Sequence, residues 1–361
     1  KSTEPYVLAK ALTLPAGVSV RGETGDFNDV VISGGGKLNG AFVVGINCAV
    51  SNITFTSFVM PGSSDAIISE TGAGARYVDN CRFTANSGTS YGSILISNTQ
   101  LSTYSRIVVD NCQLGHQCQS GLLCIQKGTF TDCVITNNYV QNDISGDQMP
   151  DFIHVNNNST ATLKNSFIGY NDYGTAHGVR IGKGEYCGAV KVSSGTLENC
   201  VIVGNEIRHA SPQKVGAVWR NGGSIKNCII LENGLDADDW VKVGGSSYSY
   251  CLSTDTGTMK TSVDGDWNDI VAKPGELPWI PYGSRAIGAG EKGGDIGRIW
   301  TPETLKCAVK QDRRQYTGAA TANLLALASA EATFAWTLVS GAATLTPDGK
   351  NATLAFDGPG T

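Results

Sequence analysis

The 361-residue chain predicts an all-β solenoid, a stack of coils built from short parallel strands. Three observations carry that expectation. A nine-residue motif recurs seven times, a second short β-prone run precedes most copies, and 45 Gly with only 16% charged residues supply turns around a continuous core.

The motif copies are VSNITFTSF (50–58), VDNCRFTAN (78–86), VDNCQLGHQ (109–117), FTDCVITNN (130–138), LKNSFIGYN (163–171), LENCVIVGN (197–205) and IKNCIILEN (225–233). The Asn of each pair stands at 52, 80, 111, 165, 199 and 227, with Asp at 132, so the spacings are 28, 31, 21, 33, 34 and 28. Such irregularity argues against helical hairpins of fixed length and favours strands joined by variable loops. Within a copy, alternation holds on each side of the Asn and slips across it. Leu197 points inward, Asn199 bends, and Cys200 and Ile202 point inward again. Asn tolerates left-handed geometry better than most residues, so it can make that corner.

Stacking the copies puts Ile53, Cys81, Cys112, Cys133, Ser166, Cys200 and Cys228 in one inward column, with Cys251 continuing it. Buried reduced Cys behaves as a small hydrophobe. The parallel Cβ vectors of neighbouring rungs do not give a disulfide its dihedral, so the column is expected to hold thiols. Cys118, Cys124, Cys187 and Cys307 fall outside the column, the first two within reach across a short loop. No CxxC or His-x-x-x-His spacing supports zinc.

The preceding runs, GAFVV (40–44), GSILI (92–96), GLLCI (121–125), DFIHV (151–155), GAVKV (188–192) and GAVWR (216–220), are short, β-prone and bounded by Gly, Asn or Ser. With the opening LTLPAGVSVRGE (12–23), a late YSYCLSTD (248–255) and the exit GSRAIGAGEKGGDIG (283–297), the chain resembles the right-handed single-stranded parallel β-helix of the pectin-lyase-like superfold, as found in bacterial surface proteins. The resemblance covers roughly residues 11–300 and implies a solenoid over 1–300 closed by a C-terminal cap. The exit departs from the family pattern with Arg285 where Pro is usual and Gly288 where Asp is usual. Residues 301–361 have another texture. In 334–356, Phe334, Trp336 and Leu338 alternate before a turn at Pro347-Asp348-Gly349, which resembles a partial immunoglobulin-like or PKD-like β-sandwich.

Net charge is −5 and no basic run reaches five residues, which excludes nucleic acid as a partner. The most apolar stretch, 322–339, is interrupted by Asn323, Ser329 and Glu331 and is not a membrane span. The opening KSTEPYVLAK carries neither a basic n-region nor an apolar h-region, so the expectation is an export signal, with or without a lipid anchor, before Lys1 and further sandwich domains beyond Thr361. The resemblance implies an extracellular or outer-surface location in a Gram-negative bacterium.

Motifs for chemistry are sparse. DGDWND (264–269) offers Asp264, Asp266 and Asn268 at calcium-loop spacing but lacks the following Gly and distal Glu, so no cofactor is expected, with calcium there the one alternative. HGVRIGKG (177–184) resembles elements of pectin-degrading hydrolases that lie on separate coils in those enzymes. A catalytic set would have to come from Asp143, Asp147, Asp151, Asp172, His177, Arg180 and Glu185, and no acid–base pair assembles from them.

Loop length marks one part of the rod. Connections after Asn138, Asn171 and Asn205 lengthen in successive coils, and long loops on a rigid scaffold are where binding concentrates. The outward stripe on the first strands then reads Val43, Leu95, Cys124, His154, Lys191 and Trp219, turning polar where the long loops enter. The expected recognition groove comprises His154, Lys191 and Trp219, with Asp151, Tyr173, His177, Arg180 and Tyr186 at its margins. The function expected is non-catalytic recognition of a polysaccharide or cell-surface glycan, adhesin-like. The alternatives are a polysaccharide lyase or glycoside hydrolase acting on acidic polysaccharide, and a structural subunit with a protein partner in a surface assembly.

Overall fold

One coil shows how the repeat folds. Leu123–Ile125 is the first strand, and a turn through Gly128 (φ 82°) leads to Thr129–Thr131. Asp132 (φ 57°) makes a corner into Val134–Thr136, and Asn137 (φ 54°) makes the next into Tyr139–Val140. In the computed structural model such coils stack as a parallel β-solenoid, followed by a small antiparallel sheet. The structure describes residues 4–62, 65–88, 92–98, 101–114, 121–140, 152–156, 160–172, 189–205, 217–220, 222–233, 248–253, 263–265, 268–273, 276–298, 306–311, 320–338 and 343–356.

Among the described residues the stacked strands form four parallel sheets. The first has eight strands, from Leu12–Leu14 to Val218–Arg220, and the second eight, from Val20–Arg21 to Ser224–Lys226. The third has eleven, from Tyr6–Val7 to Val263–Asp264, and the fourth four, from Val59–Met60 to Tyr139–Val140. The motif therefore spans a corner: Thr196–Glu198 lies in the second sheet, Asn199 (φ 52°) turns, and Val201–Val203 lies in the third. Every motif Asn, and Asp132, has the left-handed φ expected of it. A first strand absent from the sequence reading, Ile68–Glu70, completes the stack between Phe42–Val44 and Leu95–Ser97.

One copy is out of register. Arg82 pairs with Val108, so the equivalent of Asn80 is Arg106 (φ 52°), and the inward residue after it is Ile107. The interior column runs Ile53, Cys81, Ile107, Cys133, Ser166, Cys200, Cys228 and Cys251, all buried. Cys112 is not in it. Asn111 (φ 51°) occupies the second corner, equivalent to Ala85 and Asn137, and Cys112 stands one column further along. With Arg106 as the corner, the spacings of 31 and 21 become 26 and 26. The error has a physical source, since both corners need a left-handed residue and both precede an inward one, so VDNC fits either.

The column that holds Cys112 is a buried amide ladder through Asn86, Cys112, Asn138, Asn171, Asn205 and Asn233. Asn138 Nδ2 donates to Asn171 Oδ1 at 2.9 Å, Asn171 Nδ2 to Asn205 Oδ1 at 2.8 Å, and Asn205 Nδ2 to Asn233 Oδ1 at 2.8 Å. Each amide also bonds backbone: Asn171 Nδ2 donates to Ile135 O at 3.1 Å, and Asn138 N donates to Asn171 Oδ1 at 3.1 Å. Satisfied on both sides, these polar groups can be buried where a lone amide could not. The same core holds aromatic stacks, Phe55 on Phe83 with centroids 5.0 Å apart and Tyr104 on Phe130 at 4.2 Å. The buried Cys81, Cys112 and Cys133 carry free thiols, and burial pushes the ionisation of each up to about 12.

The exit segment covers the outward face of the third sheet. Ile270, Ile280, Ala286 and Ile296 pack on Phe167, Val201, Val203, Ile229, Leu231 and Leu252. Gly297 N donates to Asn227 O at 2.7 Å and Glu291 N to Asn227 Oδ1 at 2.9 Å, tying the exit to a motif corner. Arg285 has a clear reason to replace Pro: its N–H donates to Asp269 Oδ1 at 2.8 Å and its Nε to Asp269 Oδ2 at 2.9 Å, pairing a carboxylate only 5% exposed. Gly288 (φ 69°) adopts a left-handed turn and donates its N–H to Asp295 Oδ1 at 2.8 Å.

The last sheet is antiparallel, in the order Cys307–Gln311, Ala320–Ala328, Asn351–Phe356, Ala343–Asp348. Leu327 packs on Val271 and Trp279 of the exit. The apolar stretch read as unfit for a membrane contributes the strand Ala320–Ala328, and among the described residues no helix is long and apolar enough to cross a membrane. Phe334, Trp336 and Leu338 alternate without forming a strand; Trp336 Nε1 donates to Gly349 O at 3.0 Å, laying this segment against the hairpin turn.

Candidate ligand-binding face

The register of the first sheet is explicit. Val43 neighbours Ser69, Ile96 neighbours Cys124, Cys124 neighbours His154, His154 neighbours Lys191, and Lys191 neighbours Trp219. Leu95 pairs with Ile68 and is buried in the main core, so the outward residue of its coil is Ile96, one position on from the sequence expectation. The two-residue period of a strand makes such a slip a change of face.

Burial changes along the stripe. Ile96 and Cys124 join Ala66 in a small apolar cluster outside the main core. His154 is 8% exposed, and its Nε2 shares a 2.9 Å hydrogen bond with the Ser193 hydroxyl. Lys191 and Trp219 are half-buried, and Lys191 Nζ lies 4.5 Å from the Trp219 ring centroid. The strands fix this pair, because adjacent parallel strands run about 4.8 Å apart and hold equivalent side chains side by side. A cation over an indole face is an attractive contact of about 0.5–1 kcal/mol where solvent still reaches it.

The turn beyond Lys191 is held tightly. Ser193 N donates to Val155 O at 2.9 Å, and Gly222 of the next coil lies so close that a Cβ there would meet Ser193 O at 2.3 Å. Arg220 adds a clamp on the same neighbouring turn, its Nε donating to Gly223 O at 2.9 Å. Ser193 and Arg220 were not among the expected site residues. Ser193 was within reach of the pattern, since it lies two residues beyond Lys191 and shares its parity.

Of the eight expected site residues, the structure brings together His154, Lys191 and Trp219. Asp151, Tyr173, His177, Arg180 and Tyr186 lie outside the described residues, as do Asp143, Asp147 and Glu185. Asp172 is described; its N–H donates to Asn138 O at 2.8 Å and its carbonyl accepts from Val140 N at 3.0 Å. Of the calcium-spaced set, Asp266 and the Asp264 side chain lie outside the described residues, while the adjacent Asp269 binds Arg285. Among the described residues no group of three His, Cys, Asp or Glu side chains is arranged to hold a metal. Comparison with protein-family models, curated proteins and solved structures gives no match to the chain.

Proposed function

We propose that the chain is a secreted or cell-surface recognition protein that binds an acidic glycan along the first sheet and does not cleave the glycan backbone. The observation that carries this is the Lys191–Trp219 pair, half-buried on adjacent coils with the cation 4.5 Å from the ring centroid. An indole offers a flat apolar face to a sugar ring, and an ammonium beside it adds attraction for a carboxylate or sulfate. The pectin-lyase-like resemblance supports a bacterial surface setting, and labelling of intact cells with a membrane-impermeant reagent checks that location.

The binding test is retention of the full chain on polygalacturonate, alginate and a neutral glucan, with reducing ends and unsaturated uronates measured in the same samples. The expected result is retention on an acidic polymer, falling about tenfold in Lys191→Ala and in Trp219→Ala, with polymer length unchanged. Shortened products, or retention indifferent to both substitutions, would contradict the reading.

A further inference from the structure

The hydrogen bond between His154 Nε2 and the Ser193 hydroxyl, at 2.9 Å, joins an imidazole to an alcohol within the same patch as Lys191 and Trp219. Its backbone setting is rigid. Ser193 is anchored through its N–H to Val155 O, His154 lies within the strand Ile153–Val155, and Gly222 packs against the Ser193 carbonyl. The imidazole is nearly buried and its Nδ1 is enclosed, so Nε2, which meets the hydroxyl, is the nitrogen available for proton exchange. An alcohol within hydrogen-bond reach of a histidine is the minimal arrangement for an activated nucleophile.

We infer that Ser193 and His154 form a nucleophile–base pair that removes ester-linked acyl groups from the glycan held on Lys191 and Trp219, an inference that rests on the recognition reading for its natural substrate. Ser193 Oγ bonds to the ester carbonyl carbon as its proton passes to His154 Nε2. The tetrahedral centre collapses by breaking the bond to the sugar oxygen, which takes that proton and leaves as an alcohol. Water then adds to the acyl-serine, giving one proton to His154. Collapse breaks the bond to Ser193 Oγ, the serine recovers the proton, and the acid is released. The balance is ester plus water to acid plus alcohol, with no oxidant or metal required.

The test uses probes that need no glycan. A fluorophosphonate should label the full chain once, at Ser193, and p-nitrophenyl acetate should be hydrolysed with a rate that rises with pH as the imidazole loses its proton. Ser193→Ala should abolish labelling and lower turnover about 100-fold, and His154→Gln should remove the pH dependence. Ser193 is half-buried with a small side chain, so its alanine variant is expected to fold; matching circular dichroism checks this. No label at Ser193 in the wild type, or turnover unchanged in Ser193→Ala, overturns the inference. Glycan retention that still depends on Lys191 would then leave the recognition reading standing. Labelling at Ser193 with retention indifferent to Lys191→Ala would do the reverse.

Discussion

The corner residues show how little chemistry a coil needs. Asn52, Asn80, Asn165, Asn199 and Asn227 share φ values between 52° and 57°, apart from Asn80 at 49°, and Asn is among the few side chains that take this geometry at low cost. Arg106 takes it as well, at φ 52°, because the neighbouring coils dictate the turn and its guanidinium pairs with Asp79. That is why Arg106 could not be read from sequence as a corner. The inward residues after the corners impose a pH dependence. Cys81, Cys112 and Cys133 ionise at about 12 in the folded chain, above the ordinary thiol value of 9.0. Between pH 9 and 12 the unfolded chain therefore holds fewer protons, so stability is complete below pH 9 and falls as pH rises. Each thiol should contribute a slope of about 1.4 kcal/mol per pH unit within that window. Urea unfolding at pH 8 and 10 should show the drop, and a Cys81→Ala variant a shallower one. Equal stability at the two values would contradict thiol burial.

At the scale of the element, the sequence made strands and corners legible but left one register ambiguous. Alternation placed Val190 and Val192 inward and Lys191 outward, which the structure bears out. It could not distinguish the VDNC at 78–81 from that at 109–112, since the two occupy different corners of the coil while satisfying the same local demands. The amide ladder gives that register a direct test. Cys112 accepts from Asn86 Nδ2 at 3.8 Å and its Sγ donates to Phe83 O at 3.3 Å, while its backbone N–H donates to Asn138 Oδ1 at 3.0 Å. An Asn at 112 would find the partners its ladder neighbours have. Cys112→Asn should therefore be neutral or stabilising, whereas Cys133→Asn, in the thiol column, should cost about 1–3 kcal/mol for an amide buried without such partners. Denaturant midpoints measure both, and equal losses would refute the assigned register.

Across the whole molecule, fold and candidate site were legible to different degrees. The recurrent corner and the two-residue period determine which residues meet inside the solenoid, so the inward column at Cys81, Cys133, Cys200 and Cys228 could be anticipated. The lateral docking of Ile280, Ala286 and Ile296 on the third sheet could not, because contacts between distant segments leave no period in the sequence. The Ser193–His154 contact joins neighbouring coils and was within reach of the register, but it depends on side-chain rotamers that the two-residue period does not specify. Lys191 and Trp219, by contrast, follow from register alone. Their joint action on a ligand is the central claim, and the most direct measurement is a double-mutant cycle on affinity for the retained acidic polysaccharide. Lys191→Ala and Trp219→Ala should each weaken binding about tenfold, with the double variant losing less than the sum of the single losses and all three melting within about 2 °C of the wild type. Wild-type affinity in the double variant would contradict the account.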